Sequence, residues 1–164
     1  MATPTKLDEQ QIWEALDAVP DPEMPFVSLI ELGIVRQVDV QGGAVSVTIT
    51  PTFSGCPAYE VMGEQIEAAV KELGADAVAV QITHDPPWTS EWITPAARAK
   101  LLENGLAPPP YHRGNVEAIL LMPATCPRCG SMDTKLQSSF GTTPCRMIFT
   151  CNHCLEPFEQ FKPL

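Results

Sequence analysis

Apolar residues recur at helical spacing near the start of the chain. Ile12, Leu16 and Val19 would share one face of a helix, and Asp8 stands where a side chain can cap its first turn. The helix should end at Pro20, because proline has no N–H to donate and its ring clashes with the preceding turn. We therefore expect one amphipathic helix, followed by an extended acidic loop.

An alternating pattern replaces the helical spacing further along the chain. Residues 34–40 and 44–50 predict two strands, and the Gln41-Gly42-Gly43 sequence between them predicts a tight hairpin. The second strand alternates apolar residues with serine and threonine, which predicts one buried and one polar face. Its apolar members are Val45, Val47 and Ile49.

A second amphipathic stretch and a third strand complete this part of the pattern. The helical stripe ends before Gly74 and consists of Met62, Ile66, Ala69 and Leu73. Residues 77–84 then predict a strand whose one face carries Val78, Val80, Ile82 and His84. In the order α-β-β-α-β, the hairpin pairs two strands antiparallel and the crossover helix makes the third parallel to the second. The predicted fold class is therefore α+β, with a three-stranded mixed sheet.

Polar side chains stand at the junctions of these elements, where the topology should gather them at one edge of the sheet. Cys56 follows the second strand, His84 ends the third, and Glu31 precedes the first. Asp21 and Glu23 lie in the acidic loop that has to approach the same edge. With a proline at the first helical position, Cys56 would be the N-cap, where backbone N–H groups favour a thiolate. We expect a ligand site at this edge.

Each of these residues also has an ordinary structural interpretation. A lone cysteine such as Cys56 is commonly a small buried filler, and His84 can be a hydrogen-bonded residue at the end of a strand. The acidic segment can be a plain loop between a helix and a strand. Trp88 and Trp92 follow in a proline-containing loop, and such a pair is commonly a hydrophobic lid. The residues alone leave both interpretations open.

Two C-x-x-C pairs near the C-terminal end form the strongest chemical signal. This spacing lets both thiolates of a pair reach one tetrahedral ion, and the cysteines are Cys126, Cys129, Cys151 and Cys154. We expect a structural zinc ribbon with Phe158 and Phe161 in its small core. The alternative is iron in a rubredoxin-like site or a cluster, since thiolates also bind iron. Cys145 does not fit the spacing and can be a buried filler, an alternative ligand or a redox partner; His153 is a weaker ligand candidate.

The charge of the chain changes where the cysteine pairs begin. The formal net charge is −10, of which residues 1–123 carry −11 and residues 124–164 carry +1. An acidic body argues against nucleic-acid binding, which needs a basic surface. No stretch is apolar enough to span a membrane, and the first residues lack a signal-peptide core. We therefore expect a cytoplasmic protein, where reducing conditions favour metal-bound cysteines over disulfides.

Several motifs together resemble the MIP18/DUF59 family of iron–sulfur assembly and carrier domains. The similar segments are Asp21-Pro22-Glu23, Glu31-Leu32-Gly33-Ile34-Val35, Thr52 to Pro57 and Thr83 to Trp88. With Trp92-Ile93-Thr94 and the cysteine pairs added, the chain resembles the family of D subunits of bacterial ring-1,2-phenylacetyl-CoA epoxidase systems. We accordingly expect a MIP18/DUF59-like domain over 1–106, a linker and connecting strand over 107–123, and a zinc-ribbon-like module over 124–164.

The resemblance implies an accessory protein of aerobic phenylacetate degradation without an activity of its own. It would assist the delivery of iron or an iron–sulfur cluster to the epoxidase system, with the iron–sulfur reductase subunit as the expected client. It matches Cys56 to the family's functional thiol and Asp21 and Glu23 to the acidic motif. Cys56 would hold its cargo transiently, together with a second copy of itself in a homodimer or with a thiol of the client.

Two other functions stay open beside this one. Glu31, His84 and Trp88 are candidates for supporting the thiol site, and with Cys56 as nucleophile and His84 as base the protein would be an enzyme. The chain could also be a structural or regulatory subunit of the epoxidase complex with no chemistry at all.

Overall fold

The computed structural model describes residues 7–120 and 122–164, and the chain divides into two compact units, Met1–Pro87 and Trp88–Leu164. The first unit has the predicted order of elements. These are α1 (Glu9–Asp17), β1 (Val35–Gln41), β2 (Ala44–Ile49), α2 (Tyr59–Glu72) and β3 (Ala77–Ile82). Asp8 caps α1 as expected, since its side chain accepts a hydrogen bond from the Gln10 N–H.

The three strands of the first unit form one mixed sheet in the order β1-β2-β3. β1 and β2 are antiparallel, with Val38 opposite Val47, while β2 and β3 are parallel, with Val45 opposite Val78. This arrangement confirms the predicted α+β class. Both connections follow from the chain itself, because a short glycine turn joins β1 to β2 and a helix joins β2 to β3.

The core of the first unit lies between one face of the sheet and the two helices. The apolar residues of β2 and the stripe of α2 are buried there as the pattern predicts: Val45, Val47, Ile49, Met62, Ile66 and Val70. Each such side chain contributes about 1.5–3 kcal/mol by leaving water.

β3 departs from the expected pattern. The sequence places Val78, Val80 and Ile82 on one apolar face of this strand, and in the structure the first two are only half-buried and Ile82 is 44% exposed. The reason is that β3 is an outer strand of this sheet, so its side chains have strand neighbours on one side only. The strand also ends at Ile82, which leaves His84 beyond it.

The second unit contains a four-stranded sheet in the order β4-β7-β6-β5. Its elements are a 3₁₀ turn (Ser90–Trp92), α3 (Pro95–Glu103), β4 (Leu106–Ala107), α4 (Val116–Leu120), β5 (Thr134–Ser138), β6 (Arg146–Cys151) and β7 (Pro157–Phe161). β5, β6 and β7 are antiparallel neighbours. Phe158 and Phe161 are buried, as expected, and Phe158 stacks on Phe149 with ring centroids 5.8 Å apart.

The structure divides at residues 87 and 88, well before the domain boundary that the sequence places at 106. The segment that begins at Trp88 joins the C-terminal sheet, because β4 pairs in parallel with β7 and places Ala107 opposite Gln160. Ala107 is fully buried. Ala107, the first residue of the expected linker and connecting strand, therefore lies in a strand.

A buried arginine organises the start of the second unit. Arg98 donates hydrogen bonds to the carbonyl oxygens of Ser90 (2.7 Å), Ile93 (3.3 Å) and Pro109, and its guanidinium lies 3.9 Å from the centre of the Tyr111 ring. Burial lowers the pKa of this guanidinium, although an arginine remains charged. One side chain thus links the turn at residues 90–93 to the segment at Pro109.

The last residue is held by the same region. The Leu164 carbonyl oxygen accepts hydrogen bonds from the Thr89 hydroxyl (2.7 Å) and the Ser90 N–H (2.9 Å), and it lies 2.9 Å from His112 Nε2. Because His112 Nδ1 accepts from the Gly114 N–H, the ring proton is on Nε2, which donates to Leu164. No helix in the described parts of the chain is both long and apolar enough to cross a membrane.

Candidate functional site

Four thiols of the second unit converge on one point. The Sγ atoms of Cys126 and Cys154 are 3.7 Å apart, those of Cys129 and Cys151 are 3.6 Å apart, and all four lie within 4.8 Å of one another. Cys126 and Cys151 are buried, whereas Cys129 is exposed. The two C-x-x-C pairs therefore form the single tetrathiol group that their spacing predicts.

The spacing of these sulfurs fits a tetrahedral metal ion. Zinc binds thiolate sulfur at about 2.3 Å, which places the corners of an ideal tetrahedron about 3.8 Å apart. A disulfide would need sulfurs at about 2.05 Å. Four protein ligands also complete the coordination, so such a centre has a structural role and keeps no position for a substrate.

Backbone N–H groups turn toward the sulfurs at both knuckles. The N–H groups of Cys154 and His153 donate to Cys151 Sγ and, together with the thiols of Cys129 and Cys154, lower the pKa of that thiol to about 6 against the effect of burial. Similar bonds reach Cys129 from Ser131. Such donors stabilise negative charge on sulfur and orient the ligands.

The two knuckles also turn in the same way. Gly130 follows the first pair with φ +74°, and Leu155 follows the second pair, at the equivalent position, with φ +65°. A left-handed conformation costs a residue with a Cβ about 1–2 kcal/mol. The second knuckle keeps it with a leucine that is 76% exposed.

Cys145 and His153 do not belong to the tetrathiol group. Cys145 is buried, and its Sγ lies 3.1 Å from the Thr143 hydroxyl. That environment fits the interpretation of Cys145 as a small buried filler. His153 contributes its backbone N–H to Cys151.

Cys56 lies in a turn of the first unit, before α2. The sequence predicts it at the N-cap, but α2 begins at Tyr59 with Ala58 as the cap, because the first helical hydrogen bond runs from the Met62 N–H to the Ala58 carbonyl. The helix thus begins two residues later than expected. The sulfur nevertheless accepts hydrogen bonds from the N–H groups of Ala58 and Tyr59, so it does meet the start of the helix.

The electrostatic balance at Cys56 is the opposite of the expected one. Burial raises the pKa of the thiol most, and the carboxylates of Glu23 and Asp21 raise it further, while the N–H groups of Ala58 and Tyr59 only partly offset them. The expectation that the helix start yields a thiolate is therefore wrong for this arrangement. Its predicted neighbours are present, however, since both acidic residues act on the sulfur.

The predicted acidic site residues differ in burial and in the hydrogen bonds that their carboxylates already accept. Asp21 is buried, and its Oδ1 accepts the N–H groups of Glu23 (2.9 Å) and Met24 (2.8 Å). Glu31 Oε2 accepts the Ser28 N–H while Ser28 Oγ accepts the Glu31 N–H, both at 3.0 Å. This reciprocal pair is a capping box that shapes the turn before β1. Glu23 is less buried than Asp21.

The structure places the two remaining predicted site residues differently. His84 is exposed and lies beyond the end of β3. Trp88 belongs to the second unit, where it is buried and packs against Phe161 with ring centroids 5.7 Å apart. The contact between the Trp88 and Phe161 rings is a hydrophobic packing contact within the second unit.

The polar network of the second unit was not expected from the sequence. Arg98 and His112 are both buried, and their partners lie up to 52 residues away along the chain. A basic residue within an otherwise ordinary helix gives no local sign of such partners. The sequence signal in this region was the proline-containing loop that carries Trp88 and Trp92, and it indicates a stiff loop but not the hydrogen bonds that the loop makes.

Two family models match the chain. One is described as an iron-sulfur cluster assembly protein and matches residues 9–82, which include Cys56. The other is described as a PaaD zinc beta ribbon domain and matches residues 121–162, which include all four clustered cysteines. These matches confirm the resemblance drawn from the motifs.

Individual proteins are similar over different lengths. An Escherichia coli strain K12 protein, named as a putative D subunit of 1,2-phenylacetyl-CoA epoxidase, is 41% identical over 99% of this chain and 97% of its own. An Fe-S protein maturation auxiliary factor of Porphyromonas gingivalis is 34% identical over 57% of this chain and 90% of its own. The solved structure of a conserved hypothetical protein from Thermotoga maritima is 31% identical, with a TM-score of 0.52 over 60% of this chain and 98% of its own.

Proposed function

The chain belongs to the family of D subunits of 1,2-phenylacetyl-CoA epoxidase systems, and from that premise we propose that it is a non-catalytic accessory protein of phenylacetate degradation. It assists the delivery of iron or an iron–sulfur cluster to the epoxidase system. One observation carries the proposal: a single half-buried thiol, Cys56, is flanked by carboxylates in the segment that matches iron–sulfur assembly proteins, while the other metal-binding thiols close a site of their own.

Cys56 has the properties of a ligand that binds a metal reversibly. Its raised pKa keeps the proton on sulfur at neutral pH until a metal displaces it, so binding competes with protonation and stays reversible. The negative charges of Glu23 and Asp21 attract a cation to the same place. Because Asp21 already accepts two backbone N–H groups, the less buried Glu23 is the better candidate for a second ligand. Glu31, His84 and Trp88 are proposed as supporting residues.

The tetrathiol group is proposed to hold zinc and to keep the second unit folded. Zinc prefers a closed tetrahedral set of thiolates, and the sulfur spacing fits that ion. Iron binds thiolates as well, so metal analysis has to decide between them. In this division of roles, the ribbon presents the protein to its client while Cys56 carries the cargo.

The test is the cluster content of the client. The full chain is co-expressed with the iron–sulfur reductase subunit, either as wild type or as Cys56→Ser, and iron and sulfide are measured in the purified reductase. Cys56→Ser is expected to lower the cluster occupancy, whereas Cys145→Ser, which removes a thiol outside both sites, is expected to leave it unchanged. Full occupancy with Cys56→Ser would refute the proposal.

The raised pKa of Cys56 weakens the alternative that the protein is an enzyme. A cysteine nucleophile needs a thiolate, and the surroundings of Cys56 hold its pKa above the ordinary value. A purely structural subunit would instead co-purify with the oxygenase in fixed stoichiometry, and Cys56→Ser would leave both assembly and cluster content unchanged.

A further inference from the structure

The outer edge of β3 has hydrogen-bonding groups that point away from the sheet. The N–H of Ala77 donates to Gly43 and that of Thr83 donates to Ile49, on the β2 side. Because these groups alternate along a strand, the N–H and C=O groups of Val78, Val80 and Ile82 point to the opposite side. Within the described part of the first unit, the sheet ends at β3.

The side chains at the end of the same strand open onto a groove. Val80 and Ile82 line it from β3, Ile49 lines it from β2, and Tyr59 lines it from α2. Ile82 is 44% exposed and Tyr59 is 38% exposed. An edge strand with apolar residues of this kind is the usual template for an added strand, which natural proteins otherwise block with charge or proline.

The rim of the groove is acidic. Glu60 and Glu64 line it from α2, and Glu60 is exposed. A second copy of this chain would bring the same two glutamates to the contact and add to the repulsion of a net charge of −10. A segment with lysine or arginine beside its apolar residues would be attracted instead.

We propose that the open edge of β3 binds an extended segment of another protein as an added strand. Every second residue of that segment faces the groove, where apolar side chains pack against Val80 and Ile82 and lysine or arginine at other positions of the same face meets Glu60 and Glu64. The groove is lined in part by Tyr59, whose N–H donates to the Cys56 sulfur. The added strand therefore runs past the thiol site. Only the identification of that segment as part of the client rests on the proposed function.

The binding test uses the intact protein and a fluorescein-labelled peptide that repeats valine-threonine-lysine-threonine, so that valine and lysine share one face of the added strand. Saturable binding is expected by anisotropy. Amide exchange should slow at Val78, Val80 and Ile82 and stay unchanged at Ala79 and Gln81, which already bond to β2. The same peptide with alternate amides N-methylated tests the added strand without any variant, and it should not bind.

Two matched substitutions locate the contact. Ile82→Lys places a charge in the groove and is expected to weaken binding roughly tenfold or more, since it removes the burial of a large apolar side chain. Gln81→Lys adds the same charge on the other face of the strand and should have a much smaller effect. Repeating the titration with Cys56→Ser should give the wild-type affinity, so the result does not depend on iron delivery.

Several outcomes would overturn the proposal. These are absence of saturable binding, equal binding of the N-methylated peptide, and equal effects of the two substitutions. A dimer of the free protein that Ile82→Lys dissociates would assign the edge to a second copy and would also overturn it.

Discussion

Removal of the metal from the tetrathiol group should unfold the ribbon strands while the first unit stays folded. Cys126 and Cys151 are themselves members of the small buried cluster around Phe149 and Phe158, so the ligands and the core depend on each other. Structural zinc contributes about 10–16 kcal/mol in small zinc-binding peptides. That is as large as the whole stability of an ordinary domain, about 5–15 kcal/mol. The ribbon should therefore not remain folded without metal.

The assay is amide hydrogen exchange before and after treatment with a strong chelator under reducing conditions. Protection should fall to the level of an unfolded chain in β5, β6 and β7, and it should persist in β1, β2 and β3. Cys129→Ser removes an exposed ligand and should release the metal, whereas Cys145→Ser removes a thiol outside the group and should keep it. Retained protection in β5–β7 of the metal-free protein would show that the ribbon folds without its metal.

Three further predictions follow from single side chains. Arg98→Met leaves three carbonyl oxygens without their donor and should lower the free energy of unfolding of the second unit by about 3–5 kcal/mol in urea titrations. Glu23→Gln should lower the pKa of Cys56 and speed its alkylation at pH 8, whereas Glu72→Gln at the far end of α2 should not. Because the pKa of the Cys56 thiol is raised in the folded protein, its contribution to stability is complete below about pH 8.5. That contribution is lost as the pH rises through the pKa of the folded state. Leu155→Gly should raise the melting temperature, since it relieves a left-handed backbone worth about 1 kcal/mol at an exposed position.

The elements of the first unit could be predicted because each has a local cause. The stripe of α2 and the alternation in β2 are buried as their spacing requires, and Asp8 caps α1. The hairpin and the crossover then determine the sheet. The exposure of β3 could not be predicted, because residues such as Ile82 have the same pattern in an outer strand as in a central one.

The candidate sites differ in the same way. The tetrathiol group follows from the spacing of its cysteines, and the proximity of Asp21 and Glu23 to Cys56 follows from topology. The direction of the pKa shift at Cys56 does not follow from the sequence, since it depends on whether burial and two carboxylates outweigh two N–H groups. The placement of Trp88 with the ribbon depends on contacts with Phe161 that no local pattern indicates.

The most direct test of the proposed division between a zinc site and a cargo site is the zinc and iron content of protein purified without oxygen and supplied with iron. We expect zinc and labile iron in the wild type, zinc alone in Cys56→Ser, and iron without zinc in Cys129→Ser. Iron that persists in Cys56→Ser and disappears in Cys129→Ser would place the cargo in the ribbon and contradict the account.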